Sequence, residues 1–158
     1  MSSAASTAID LSRVAGDELP WLPYSMIPGS SFKILKVEES TNTVVLRFNM
    51  APHTVTPRHA HHCQAMAYTL SGVWYYDHLT FRRGDLAFEN DLAPHQPVTR
   101  DEPAELLTTF VGGRGNDRLL EEYPENGPPY LLRTRFFKAL EGITPEQLAR
   151  LDLQSLLG

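Results

Sequence analysis

Three observations predict an all-β fold, a sandwich or a closed barrel. Short runs rich in Val, Leu, Phe, Thr and Tyr recur between Ser31 and Gly113. Clusters of turn residues separate them at close spacing. Two of the runs are almost continuously apolar, which suits strands covered on both faces.

The expected strands are Phe32–Val37, Thr43–Met50, Gln64–Tyr76, Asp85–Glu89, Gln96–Thr99 and Glu105–Val111, each β-branched and aromatic at strand length. Between them, Glu39 to Asn42, Arg82 to Asp85, Asn90-Asp91 and Arg100 to Pro103 carry turn chemistry. Val44 to Phe48 contains one charge, and Leu106 to Val111 is nearly unbroken. A partner subunit can cover the outer face of such strands.

Residues 1–30 are expected as an N-terminal arm, residues 31–135 as the barrel and residues 136–158 as a C-terminal helical segment packed on it. "AIDLSRVA" in the arm can make two helical turns, too few to be stable without docking. A further strand is expected at Tyr130–Arg135 after the "NGPP" loop. The C-terminal helix has strong start signals: Thr144 as N-cap, Pro145 at the first helical position, Glu146 in the first turn and Gln147 completing a capping box. Leu148, Leu151, Leu153 and Leu156 form a partial apolar stripe that would face the barrel.

Composition narrows the function classes. A chain of 158 residues can bury roughly 70% of its unfolded surface, enough for one core. A net charge of −5, with only Arg82-Arg83 and Arg133/Arg135 as dense basic pairs, argues against nucleic acid as a partner. No apolar run reaches the roughly 18 to 20 residues of a membrane span, so no membrane partner is expected. The single cysteine, Cys63, cannot close an internal disulfide, and the first 20 residues lack a secretory pattern. A cytoplasmic location is the expectation. Gly112-Gly113-Arg114-Gly115 lacks dinucleotide spacing and reads as a turn.

Histidine is the informative residue. Four of the six histidines, His53, His59, His61 and His62, fall within ten residues. Alternate residues of a strand share a face, so His59 and His61 can converge on one metal ion. His95, after Pro94, can supply a third ligand from the opposite wall. His62 has the opposite parity and His53 sits in a loop, which places both at the surface. Cys63 shares the parity of His61 but reads as a small buried hydrophobe.

"PRHAHHCQAMAYTLSG" (57–72) followed by "GDLAFENDLAPH" (84–95) resembles the two halves of the cupin signature. His59, His61 and Gly72 match the first half, and the eleven-residue interval from Gly84 to His95 matches the second. The resemblance covers Phe32 to Gly113. It is nearest to the subgroup containing 2,4′-dihydroxyacetophenone dioxygenase and the cupin of ChrR-type anti-sigma factors. It implies a double-stranded β-helix, the RmlC-like jelly-roll barrel, to which the C-terminal helix is added, and, because such barrels commonly present one sheet to a twin subunit, a homodimer.

The pattern departs from the family's at four places. Ala65 and Met66 stand where the glutamate ligand is expected, and Asn90 and Leu92 replace the Pro and Gly of the second half. The expectation is therefore a facial set of His59, His61 and His95 without a carboxylate. The resemblance then implies a non-haem iron dioxygenase holding Fe(II), with Zn, Ni or Mn as alternatives. It would cleave a C–C bond of a small hydroxyketone, diketone or phenolic ketone with O₂.

Gln64, beside the missing acid, and His78, which shares parity with Trp74 and Tyr76, are the candidates for orienting substrate, moving a proton or adding a fourth ligand. Tyr68, Trp74, Tyr75, Tyr76, Phe81, Phe88 and Phe110 are expected mainly as core, with some lining a cavity. Two other readings remain open: a non-catalytic metal or small-molecule sensor, and a non-redox cupin isomerase or decarboxylase.

Overall fold

The computed structural model describes residues 12–89 and 93–158. Ten strands and two short helices are formed there. The strands are β1 (Leu22–Pro23), β2 (Ser30–Glu38), β3 (Thr43–Met50), β4 (Arg58–His61), β5 (Gln64–Tyr76), β6 (Leu79–Arg82), β7 (Leu86–Glu89), β8 (Ala104–Val111), β9 (Arg118–Tyr123) and β10 (Tyr130–Arg133). The helices are α1 (Thr134–Leu140) and α2 (Pro145–Leu148).

All ladders are antiparallel and fall into two sheets. The larger has the order β1-β2-β3-β8-β5-β6, with β7 also pairing β5; the smaller is β10-β9-β4. Single bridges at His59↔His95, Val55↔Val98 and Tyr75↔Val98 tie the two sheets together. The result is the all-β jelly-roll barrel that the resemblance implied, with short helices at the C-terminal end.

Local chemistry sets the turns. Asn42 takes a φ of 49° at the β2–β3 turn, where its side-chain amide donates to the Gly113 carbonyl at 2.8 Å. Asp85 closes the β6–β7 turn by accepting from the Arg82 amide at 2.7 Å. Gly72 is required by its position: its φ is 78°, and a Cβ there would lie 1.8 Å from the Pro103 carbonyl oxygen.

The core lies between the sheets and extends under α1. Phe32, Ile34, Val44, Leu46 and Phe110 from the larger sheet meet Leu119, Leu120 and Leu132 from the smaller. Helix α1 adds Phe136, Phe137 and Leu140. The expected arm contributes as well, because β1 pairs β2 and Leu22, Tyr24 and Ile27 are buried in this cluster. The first half of the "AIDLSRVA" segment, residues 8–11, lies outside the described residues, as do Asn90, Asp91 and Leu92, and its second half, residues 12–15, is not helical.

Several elements differ from the sequence expectation. β9 was not expected, because Arg118, Glu121 and Glu122 break its apolar pattern. β10 ends at Arg133 and the chain turns into α1, whose buried residues Phe136, Phe137 and Leu140 have helical rather than strand spacing. Gln96–Thr99 makes bridges but no continuous ladder, since Pro97 has no N–H to donate. α2 has the full Thr144/Gln147 capping box but only one turn. Asp152 then caps a separate 3₁₀ turn at Leu153–Leu156 by accepting from the Gln154 amide. Among the described residues no helix is long and apolar enough to cross a membrane.

Candidate metal centre

β4 places His59 and His61 on one face by strand alternation, and both line the cavity between the sheets. His95 comes from the far side of the sequence to lie directly opposite His59. The two residues exchange both backbone hydrogen bonds, each 2.9 Å. The rings gather accordingly, with centroids 4.4 Å apart for His59–His95, 5.0 Å for His59–His61 and 5.2 Å for His61–His95.

A fourth group completes the cluster. Glu89, the last residue of β7, puts one carboxylate oxygen 2.8 Å from His61 Nε2 and the other 3.4 Å from His95 Nε2. One ligand atom from each of His59, His61, Glu89 and His95 lies within 4.8 Å of the others. Opposite donors around an ion bound at about 2.1 Å are about 4.2 Å apart, so a small contraction would close the set on a metal. The expectation of a site without a carboxylate is thus corrected.

The reason lies in the sheet. Glu89 pairs directly with Ala65 across the β5–β7 ladder, so the acid stands one strand over from the position where the family pattern places it. Directly opposed residues project to the same face with Cβ atoms about 5 Å apart. The signal was present in β7: Ala87 and Glu89 face inward while Leu86 and Phe88 are exposed. Parity along that short strand identifies Glu89 as inward-facing.

Hydrogen bonding orients the rings as donors toward one point. The Nδ1 atoms of His59 and His95 each lie 3.3 Å from a backbone carbonyl, of Pro57 and Ala93. An Nδ1–H donating there leaves Nε2 as the free lone pair, the tautomer a metal requires. His61 Nε2 and His95 Nε2 are buried and, although close to Glu89, are misaligned for a hydrogen bond. Buried imidazole nitrogens without a hydrogen bond fit an ion placed between them.

The electrostatics favour a neutral His59 and an ionised Glu89. Burial, then the charges of His61 and His95, pushes His59 down to about 3. Burial would raise Glu89, but the imidazoles of His61 and His95 beside it outweigh burial and hold the carboxyl below its usual range. At His95 burial acts downward, and the Glu89 carboxylate overcomes it to raise the ring. Burial and then Glu89 raise the Tyr76 phenol, whose ring lies 5.0 Å from that of His95.

Gln64 and His78 do not join this cluster. Gln64 is exposed at the start of β5, where the inward positions are Ala65, Ala67 and Thr69. His78 is exposed in the β5–β6 turn. Its parity with Trp74 and Tyr76 ends at Asp77, whose φ of 50° turns the chain. His62 pairs with Glu121 at 2.7 Å and His53 is exposed near Asp101. The Cys63 thiol is pushed up to about 12, chiefly by burial. Of the aromatics, Trp74 and Phe110 line the cavity, Trp74 stacks on Phe81, and Tyr68 and Phe88 are exposed.

The cluster opens into a cavity of about 110 Å³. Its walls are mainly apolar, including Phe32, Leu46, Phe48, Met50 and Leu106. Glu122 on β9 also faces this space. Glu122 pairs with His59 across the β4–β9 ladder, and sequence reading missed it together with its strand.

Comparison with known proteins bears on this arrangement. The profile of the ChrR Cupin-like domain matches residues 11–113. Among curated proteins nothing matches. The solved structures similar to this chain include three that bear on its site. A cupin-fold protein of unknown function from Ralstonia eutropha is 23% identical, with a TM-score of 0.55 over 64% of this chain and 62% of that one. An acetylacetone dioxygenase from Acinetobacter johnsonii is 16% identical, with a TM-score of 0.60 over 81% of this chain and 87% of that one. The complex of Rhodobacter sphaeroides SigE with the anti-sigma ChrR is 18% identical, with a TM-score of 0.52 over 60% and 49%. The chain spans under two thirds of the length of the first and about half of the third. At these identities the likenesses show the fold.

Proposed function

The chain belongs to the ChrR cupin-like family, and from that premise we propose that it is a metal-dependent dioxygenase cleaving a C–C bond of a small diketone or hydroxyketone with O₂. The observation that carries the reading is the convergence of three imidazoles and one carboxylate, with unpartnered ring nitrogens, at the wall of an apolar cavity. An exposed cluster would bind metal without shaping a substrate; this one has a room beside it.

His59, His61 and His95 would hold the ion through neutral nitrogens, and Glu89 would add one negative charge. Nitrogen and carboxylate donors suit first-row divalent metals, with Fe(II) the one the reading names and Zn, Ni and Mn the alternatives. When bound, the metal would supply two-point chelation of substrate oxygens and an electron path to O₂. The backbone carbonyls of Pro57 and Ala93 would keep the two imidazoles in the required tautomer. The apolar walls would exclude bulk water from the reacting groups.

Size selects within the substrate class. A cavity of about 150 Å³ takes benzene, so one of about 110 Å³ favours a short aliphatic diketone or hydroxyketone over a phenolic ketone. The rival reading, a metal-dependent sensor, is supported by the likeness to ChrR. Oxygen uptake separates the two: protein purified without oxygen and loaded with Fe(II) should consume O₂ with 2,4-pentanedione or a hydroxyketone. Tight metal binding with no uptake across such a panel would favour the sensor.

The homodimer also belongs to this proposal. Tyr68, Leu86 and Phe88 are exposed on the outer face of the larger sheet. They are contiguous, since Tyr68 pairs with Leu86 and Met66 with Phe88. A second copy would cover this patch.

A further inference from the structure

The cavity has a second polar group, separate from the four clustered residues. Glu122 is 2% exposed, and Tyr24, 7% exposed, lines the same space. The Tyr130 hydroxyl donates to Glu122 Oε2. That is the only hydrogen bond the Glu122 carboxyl makes among the described residues. The Tyr24 hydroxyl interacts with Tyr130 and Glu122, but it is buried and makes no hydrogen bond of good geometry.

A structural role accounts for half of this arrangement. Tyr130 and Glu122 stand opposite each other in the β9–β10 ladder and satisfy one another. It does not account for the rest: the buried Tyr24 hydroxyl makes no hydrogen bond of good geometry, and Glu122 adds a carboxyl to the lining of an otherwise apolar cavity. Leaving such groups unpaired is costly, and native interiors rarely do so without a ligand or functional cause. Tyr24 is held in place by edge-on contacts with Phe32 and Phe136, 5.7 and 6.3 Å between ring centroids, so it cannot readily swing to another partner.

Position gives the pair its meaning. Glu122 is the cross-strand partner of His59, with Cβ atoms expected about 5 Å apart and both side chains on the cavity face. A molecule that reached the histidine cluster with one end would meet Glu122 and Tyr24 with the other. We infer that Glu122 and Tyr24 form a hydrogen-bonding subsite for a hydroxyl group of the substrate, set one short carbon chain away from the atoms that meet the histidine cluster. The inference rests on the proposed function for the chelating end, and it narrows the substrate to a small ketone with an additional hydroxyl. Such a site rejects analogues lacking the hydroxyl, because its own polar groups are then left unpaired. The carboxyl, raised to about 7 chiefly by burial, is able to donate as well as accept near neutral pH.

The test uses the full chain, both metal-free and loaded with redox-inert zinc, and two probes differing by one hydroxyl: hydroxyacetone and 1,3-dihydroxyacetone. Affinity is read by calorimetric titration for wild type, E122Q, E122L and Y24F, with zinc content and melting temperature measured for each. Wild type should bind dihydroxyacetone about 10-fold more tightly. E122L and Y24F should lose most of that preference while keeping full zinc content, and E122Q, which still donates and accepts, should retain part of it. Equal binding of the two probes by wild type, or an undiminished preference in folded E122L and Y24F, overturns the subsite. So does failure of both probes to bind either form of the protein. If zinc does not bind, the proposed function fails separately, and the same preference is read on metal-free protein.

Discussion

Glu89 on β7 and Ala65 on β5 face each other directly across one ladder, and that pairing makes the site more than a set of histidines. The acid expected along β5 is present at the same face from the neighbouring strand, and the alanine leaves room for it. Because the two positions are opposed, a carboxylate moved from one to the other should still reach the cluster.

Glu89→Ala is therefore expected to weaken zinc binding about 10- to 100-fold, and the double substitution Ala65→Glu/Glu89→Ala to restore part of the loss. Competition titration against a zinc chelator reads both values. No recovery in a folded double variant would count against the cross-strand account.

Gln64→Ala and His78→Ala should leave zinc affinity within about twofold of wild type, because both side chains are exposed and neither reaches the cluster. A tenfold loss in either would contradict the placement described. These two residues also show where sequence reading ran out. Strand parity puts His78 inside only if β5 continues, and the positive φ at Asp77 ends it.

Much of the framework was legible because it follows from local rules. β3 and β5 have the expected boundaries, and the capping box at Thr144 needs only a four-residue pattern. The convergence of His59, His61 and His95 followed from alternation and from a family interval. Glu89 and Glu122 did not, since each owes its place to a partner strand: Ala65 on β5 for one, His59 on β4 for the other. A charged residue in an apolar strand looks like an interruption until the strand opposite is known, which is also why β9 was missed.

Glu122 gives a pH signature. Its folded value, about 7, lies above the ordinary 4.5 because burial penalises the charged form; the groups facing it are the Tyr130 and Tyr24 hydroxyls and, across the ladder, His59. Between about 4.5 and 7 the folded chain keeps a proton that the unfolded chain releases, so its contribution to stability is present below 4.5 and is lost as pH rises through 7. The total is at most roughly 3 kcal/mol. In metal-free protein, the stability of E122Q minus that of wild type, from urea titrations, should rise from pH 4.5 to 8 by an amount of that order; a flat difference would refute it.

Gly72→Ala should cost at least about 2 kcal/mol, since the new Cβ would collide with the Pro103 carbonyl at a left-handed backbone position. Urea unfolding measures it, and a loss under about 0.5 kcal/mol would show that the β5–β8 approach relaxes freely.

If Tyr68, Leu86 and Phe88 are covered by a second copy, L86K/F88K should convert a dimer to a folded monomer by light scattering, whereas a monomeric wild type would remove the dimer from the account.

The central claim is tested most directly by metal analysis of protein purified anaerobically from its native host, alongside a His59→Ala/His95→Ala variant. The account predicts close to one equivalent of a transition metal in wild type and almost none in the folded variant. Less than about a tenth of an equivalent in wild type, or the same metal content in both, would contradict it.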